Sequence, residues 1–241
     1  MGDRCDQDLR YLQLCFIGKI IAGFTHEIKN HLAIIKESAG LIGDLIKFGK
    51  KGKDESAQYL EIIGSVEDQM ERTLALFSYL NRFAHRMDMQ TAVFNVNESL
   101  DELVALINRF AHQRKITLEK EFQRDLPPIK NDPPLFQFLV FCLIENTLMA
   151  LDKNSKIVIK TSVSADRILV SIVPKGNFIE SEQGPCSREI QDDVVKQLGD
   201  QVHRSHMASA RMPCPDRSRK RMPVARIQVC TIETLLVKSY R

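Results

Sequence analysis

The residues best suited to chemistry stand together in the segment His26-Glu-Ile-Lys-Asn-His31, inside a proline-free stretch of helical periodicity. Residues four apart are neighbours on a helix surface, so His26 and Asn30 should lie side by side, with Glu27 on their flank. An exposed histidine beside a carboxylate is a reasonable nucleophile, because the acid can hold one ring nitrogen as N–H and leave the other to attack. The amide of Asn30 can orient a water molecule or a phosphoryl oxygen.

Two other interpretations of this segment need consideration. An exposed His-Glu-x-x-Asn set also occurs on ordinary helix surfaces, where it has no catalytic role. A zinc-peptidase motif needs a second histidine four residues after the first, but Asn30 occupies that position and His31 points to a different face. The spacing therefore excludes the zinc site and leaves a nucleophilic histidine and a plain helix surface as alternatives.

Two long helices are predicted to position this histidine. The first covers about residues 8–48, and its main apolar residues recur every seven positions: Ile21, Ile28, Ile35 and Ile42. The second runs from about Ala57 to Arg86, with a similar series: Ile63, Met70, Phe77 and Ala84. This spacing is typical of helical bundles. Glycine and charge between the helices predict a short loop, so the pair should form an antiparallel hairpin.

One hairpin leaves a wide apolar face uncovered. We expect a second copy of the chain to cover it, which gives a homodimer with a four-helix bundle. The alternative is that the hairpin packs against the rest of its own chain.

The chain after residue 90 mixes strand and helix patterns, which predicts an α+β fold. Asn97 is the expected cap of a helix that ends near residue 113, and the prolines between residues 127 and 134 predict a loop. The remaining predicted elements are strands at 93–96, 115–122, 157–161, 167–173 and 225–231, a helix at 135–151 and a weak helix at 187–202. We therefore predict a helical hairpin over residues 1–90 and an α/β sandwich over residues 91–241.

Bulk properties exclude several classes of partner. The net charge of +3 is too small to indicate a nucleic-acid partner. The six cysteines form no C-x-x-C pair, which favours reduced thiols in a cytoplasmic protein over a disulfide framework. The first residues lack the apolar core of a signal peptide, and no stretch is expected to be long and apolar enough to span a bilayer, so we expect no membrane insertion.

The segment Phe24-Thr-His-Glu-Ile-Lys-Asn-His-Leu32 resembles the phosphoacceptor box of histidine kinases. Three further segments resemble, in family order, the second dimerisation helix, the entrance to the catalytic ATPase domain and its N box: 59–85, 125–132 and 143–151. The resemblance covers about residues 17–173. It implies that the second half is a degenerate version of the histidine-kinase ATPase domain.

The resemblance also implies roles for single residues. His26 matches the phosphoacceptor, and Glu27 matches the acid/base partner that fixes the histidine tautomer. Asn30 matches the position that orients water in enzymes able to dephosphorylate a response regulator. Asn146 matches the N-box asparagine that helps to hold magnesium and ATP phosphates. No metal site belonging to the chain itself is implied by these matches.

The chain departs from the family pattern where ATP would bind. Pro174 stands where the family has the aspartate that accepts a hydrogen bond from adenine, and Phe178 adds bulk where backbone must approach the nucleotide. Cys142 replaces a polar residue four positions before Asn146, and no glycine-rich lid follows at about residues 182–186. His31 replaces the usual proline, so the first helix should be straighter than usual.

The sequence therefore predicts a two-component phosphotransfer protein. In it, His26 accepts a phosphoryl group from a receiver aspartate of a response regulator and donates it to another. The chain needs no cofactor of its own, because the receiver supplies magnesium. One alternative is an ATP-dependent sensor histidine kinase with an atypical nucleotide site at Asn146, and another is a noncatalytic receiver-binding scaffold. The basic stretch at 203–226 is either a solvated loop or a docking patch for an acidic partner.

Overall fold

The computed structural model describes residues 2–48, 56–89, 91–164, 167–179, 194 and 226–231. Two helices, α1 (Gly2–Phe48) and α2 (Ser56–Met87), pack together as the predicted hairpin. Three other predictions fall almost wholly outside the described residues: the weak helix at 187–202, the lid position at 182–186 and the basic stretch at 203–226.

The second half contains two further helices and six described strands, which confirms the α+β fold. In chain order these elements are β1 (Ala92–Phe94), α3 (Val96–Gln113), β2 (Thr117–Phe122), β3 (Ile129–Asn131), α4 (Pro133–Ala150), β4 (Lys156–Ser164), β5 (Arg167–Lys175) and β6 (Arg226–Thr231). Strands β2, β4, β5 and β6 form one sheet in that order, in which β4 and β5 are antiparallel and the outer pairs are parallel. Strands β1 and β3 form a separate antiparallel pair.

Two local predictions in this half were wrong. Asn95, not Asn97, caps α3: its side-chain oxygen accepts hydrogen bonds from the backbone N–H groups of Asn97 and Glu98, at 2.8 and 3.3 Å. The amide of Asn97 instead donates to the carbonyl of Gln123. The segment between the prolines is not all loop, because Ile129–Asn131 pairs with β1 as a three-residue strand.

Helix α4 is apolar on all sides because it lies in the interior. Asp132 caps it by accepting a 2.8 Å hydrogen bond from the N–H of Leu135, and its first turn contains prolines, which helices tolerate there. By length and composition alone α4 could cross a membrane, so the prediction that no stretch is long and apolar enough was wrong; 72% of Pro133–Ala150 is buried inside the fold. Burial in a core accounts for the same composition.

The hairpin and the second half share one hydrophobic core. Phe16 of α1 contacts Phe83 of α2 edge-on, with ring centroids 5.6 Å apart, and its ring centroid lies 4.7 Å from that of Phe141 in α4. Ile20 is also fully buried here. We call the hairpin side that carries Phe16, Ile20 and Phe83 the inner face. The division near residue 90 stays a prediction, since side chains from both sides of it pack together.

An ion-pair cluster joins the end of α2 to α3 beside this core. The carboxylate of Glu102 is 2% exposed and accepts hydrogen bonds from Arg86 at 2.7 and 3.1 Å. The guanidinium of Arg82 lies 3.2 Å from the same carboxylate. Two cations therefore neutralise one buried acid, and α3 is fixed against the hairpin.

Candidate functional site

His26 and Asn30 lie one turn apart on α1, and both side chains are exposed. The helix is held at this level by Phe24, whose ring packs edge-on against Phe77 of α2, with centroids 5.0 Å apart. The hydroxyl of Thr25 donates to the carbonyl of Ile21 within the same helix. The structure thus brings His26 and Asn30 together at the surface, where a partner can reach the imidazole.

The carboxylate of Glu27 lies in a groove between α1 and α3. Its Oε2 is 3.6 Å from Nη1 of Arg109, and its Oε1 is 3.9 Å from Nε2 of His31. His26 does not come within 4.0 Å of this carboxylate. In this structure Glu27 is therefore paired with Arg109 of α3, and its expected contact with the His26 imidazole is not formed.

The hydrogen bonds of His31 define its neutral tautomer. Nδ1 of His31 is 3.1 Å from Oγ1 of Thr73, and that hydroxyl donates its hydrogen to the carbonyl of Gln69 at 2.7 Å. Since the hydroxyl hydrogen is used, Nδ1–H of His31 must be the donor to Thr73. Nε2 then faces Glu27 with a lone pair when the ring is neutral and with an N–H when it is protonated.

The groove around Glu27 has a volume of about 350 Å³ and carries cationic and titratable groups from three helices. His31 comes from α1, Arg72 from α2, and Arg109 and His112 from α3. The side chain of Arg109 is only 14% exposed. Among the carboxylate and guanidinium groups that line the groove, Glu27 is the single acid and Arg72 and Arg109 are the two arginines.

Gly23 allows α3 to approach α1 closely at this level. A Cβ at Gly23 would lie 3.1 Å from the Cζ atom of Phe110 and 3.7 Å from the carbonyl oxygen of Leu106. Gly23 precedes Glu27 by one turn, and Arg109 precedes Phe110 by one residue. The missing side chain at Gly23 thus brings Arg109 within reach of Glu27.

The position matching the family nucleotide site lies at the ends of α4 and β5. Asn146 is half-buried in the last turns of α4, and Cys142 is buried one turn earlier. Pro174 is part of β5, in register with Ile157 of β4. Its side chain has no hydrogen-bond acceptor, so it cannot replace the family aspartate.

Gly176 has a structural reason to be glycine. Its φ is +152°, and a Cβ there would lie 2.1 Å from Oγ of Ser155. The following backbone is bonded to the end of α4: the carbonyl of Asn177 accepts from the N–H of Asp152, and the N–H of Ile179 donates to the carbonyl of Ala150, each at 2.9 Å. Close packing within the chain therefore accounts for the retained glycine without a nucleotide.

Neither Arg109 nor the groove around Glu27 was predicted from the sequence. The available signal was a cation on the face of α3 that also carries Leu106 and Phe110, since a largely buried arginine needs an anionic partner. The identity of that partner required the relative placement of α1 and α3. Among the described residues, no cluster of three or more His, Cys, Asp or Glu side chains could hold a metal ion.

Comparison with known proteins finds histidine kinases among the relatives of this chain. The sensor histidine kinase ZraS of Escherichia coli K12 is 24% identical over 178 residues, which are 74% of this chain and 37% of that protein. The cell-division control histidine kinase PdhS of Brucella suis is 26% identical over 148 residues, which are 60% of this chain and 14% of that protein. The chain thus spans well under half the length of either relative.

No protein-family model matches the sequence. Among solved structures, the histidine kinase AdeS of Acinetobacter baumannii is 15% identical with a TM-score of 0.38, over 71% of this chain and 86% of that one. The resemblance drawn from the motifs is confirmed, because both of these homologues are histidine kinases.

Proposed function

We propose that this protein passes phosphoryl groups between response-regulator receivers, with His26 as the residue that carries the group. The observation that supports this most directly is the contrast between two positions. His26 and Asn30 are exposed together on α1, whereas the residues at the nucleotide position do not fit ATP as those of the family do. The chain therefore draws its phosphoryl group from another protein.

The reaction needs only the imidazole and a phosphorylated receiver. An unprotonated ring nitrogen of His26 attacks the phosphorus of the receiver's aspartyl phosphate, and a P–N bond forms while the P–O bond to the aspartate breaks. The aspartate leaves with the electron pair of that bond, and the other ring nitrogen keeps its proton. The reverse step loads a second receiver, and the receiver's magnesium offsets the phosphoryl charge. Asn30 is placed to orient a phosphoryl oxygen.

A second copy of the chain is the proposed partner for the uncovered side of the hairpin. We call the side that carries Ile21, Ile63, Met70 and Phe77 the outer face; these residues are between 42% and 52% exposed. They belong to the seven-residue series that is typical of bundle seams. At 100° per residue, His26 lies about 140° around α1 from Ile21, so a copy on the outer face leaves His26 accessible.

The alternative proposal is an ATP-dependent sensor histidine kinase. One observation favours it: Asn146 is retained in the last turns of α4 and is half-buried rather than sealed in the core. Against it stand Pro174, which cannot accept the adenine hydrogen bond, and the backbone bonds between the segment after β5 and the end of α4. These features fit a structural role for the second half.

Transfer of the phosphoryl group from a phosphorylated receiver tests the proposal. The native protein is incubated with a receiver carrying labelled aspartyl phosphate, beside His26→Ala and, as a matched control, His85→Ala, which alters an exposed histidine at the end of α2. We expect label on the native protein and on His85→Ala and none on His26→Ala. Absence of label on the native protein, with receiver binding retained, would favour the scaffold and reject phosphotransfer.

Thermal unfolding with an ATP analogue and magnesium tests the kinase alternative. A ligand that binds only the folded state raises the unfolding midpoint. We expect no magnesium-dependent shift. A shift that disappears in Asn146→Ala would support the kinase instead.

A further inference from the structure

We propose that Arg109 is a positioning residue of the phosphotransfer site, which holds the carboxylate of Glu27 away from His26 until the Arg109 contact is given up. The inference rests on the proposed function, because it concerns the acid beside the same imidazole. It assigns a chemical role to the second half of the chain, since Arg109 lies on α3.

The side chain of Glu27 is directed into the groove between α1 and α3. Glu27 follows His26 directly, so its Cβ lies about 100° further around α1. That direction leads into the groove, where the carboxylate pairs with Arg109 at 3.6 Å and faces Nε2 of His31 at 3.9 Å. An acid that assists His26 must rotate out of this groove.

Arg109 is largely buried, which makes its contact with Glu27 strong. Its side chain is 14% exposed, and Glu27 is the acid within 4.0 Å of it in the described part of the chain. A largely desolvated guanidinium without an anion is costly, so Arg109 holds Glu27 more firmly than a surface lysine would. The close packing of Phe110 on Gly23 fixes α3 at the level where this contact forms.

His31 also borders this carboxylate. Its Nδ1–H is donated to Thr73, and its Nε2 lies 3.9 Å from Oε1 of Glu27. The groove is further lined by Arg72, Tyr79 and His112. Of the two arginines in the groove, Arg109 is the one that pairs with Glu27.

The test is a double-mutant cycle in which the NMR signals of the His26 ring nitrogens are measured. Nitrogen NMR spectra are recorded at a pH where the imidazole is neutral, for the native protein, Arg109→Gln, Glu27→Gln and the double variant. We expect Arg109→Gln to shift the His26 ring signals towards a single tautomer, because the freed carboxylate then holds one N–H. Glu27→Gln alone should leave those ring signals as in the native protein, and the double variant should resemble Glu27→Gln.

Two further variants keep the test decisive. Arg109→Lys retains the positive charge and should give ring signals close to native even if Arg109→Gln folds poorly. Arg72→Gln removes another cation of the same groove that does not pair with Glu27, and it should leave the ring signals unchanged. A shift of equal size in Arg109→Gln and in the double variant would overturn the proposal, as would a large shift in Glu27→Gln alone.

Transfer kinetics separate this inference from the proposed function. With a phosphorylated receiver, Arg109→Gln should accelerate transfer by about ten-fold, less than the full contribution of a positioned acid or base. The acceleration should disappear in the double variant. If the native protein accepts no label while the ring signals behave as expected, the phosphotransfer function fails and the positioning of Glu27 stands. If transfer occurs but the ring signals do not respond, only the positioning role fails.

Discussion

Ile20 and Ile21 are neighbours in the sequence, yet they lie on two different faces of the hairpin, about 100° apart around α1. Ile20 is fully buried on the inner face against the second half, whereas Ile21 is 50% exposed on the outer face. Both faces are apolar, but within the described residues only the inner one is covered. The outer face is thus the one left for the proposed second copy, and the exposed His26 lies on neither apolar face.

The largest expected effect on stability concerns the ion-pair cluster of Glu102, Arg82 and Arg86, which fixes α3 against the hairpin. Glu102→Ala should lower the free energy of unfolding by about 3–5 kcal/mol, because it leaves the poorly exposed Arg86 without its buried anion. Urea denaturation measures the change. The matched control is Glu98→Ala: Glu98 is 70% exposed and lies 4.0 Å from Arg86, so about 1 kcal/mol or less is expected. Similar losses in the two variants would mean that the cluster does not fix α3.

The next effect compares the two isoleucines directly. Ile20→Ala should lower the free energy of unfolding by about 3 kcal/mol, because it opens a cavity next to Phe16. Ile21→Ala removes a half-exposed side chain and should cost the isolated chain about 1 kcal/mol or less. The comparison is made by urea denaturation at the lowest usable protein concentration. A larger loss for Ile21 would place the main packing on the outer face.

The third effect concerns association rather than folding. Phe77→Glu should abolish the proposed dimer and cost the single chain only about 1 kcal/mol, mainly through its edge contact with Phe24. Sedimentation equilibrium measures the association. Val93→Glu is the control, because Val93 is 64% exposed and belongs to β1, outside both hairpin helices. A native protein that stays monomeric at high concentration would reject the proposed dimer.

These contrasts also show what the sequence could predict. Regular periodicity and capping residues gave both hairpin helices, α4 and the β4–β5 hairpin, because those signals are local. The seven-residue series identified the outer face. It did not identify the inner face, where Phe16 packs against Phe83 and Phe141, which lie 67 and 125 residues further along the chain.

The misses have the same physical origin. Strand β3 has three residues and exists because β1 pairs with it, and no three-residue pattern predicts a partner. Asn95 and Asn97 are both acceptable N-cap residues. Which of them caps α3 depended on the fold, in which the side-chain amide of Asn97 donates to the carbonyl of Gln123. At the site, the spacing within α1 placed His26 and Asn30 correctly. The direction of Glu27 depended on Arg109, which the fold brings from 82 residues further along the chain.

The smallest effect compares two glycines of α1. Gly18 has no atom within 4 Å of an added Cβ, so Gly18→Ala should stabilise the helix by about 1 kcal/mol through backbone propensity. Gly23→Ala gains the same propensity but places its Cβ 3.1 Å from the Phe110 ring, so the ring must move and the gain should be largely cancelled. Urea denaturation of the two variants measures the difference.

Gly23→Ala also tests the link between packing and chemistry. If Phe110 and α3 shift to make room, Arg109 moves away from Glu27, and the His26 ring signals should change in the direction expected for Arg109→Gln, by a smaller amount. Gly18→Ala should leave them unchanged. Equal stabilisation by both alanines, with no change at the His26 ring, would show that α3 adapts without disturbing Arg109. The close approach at Gly23 would then have no part in positioning the acid.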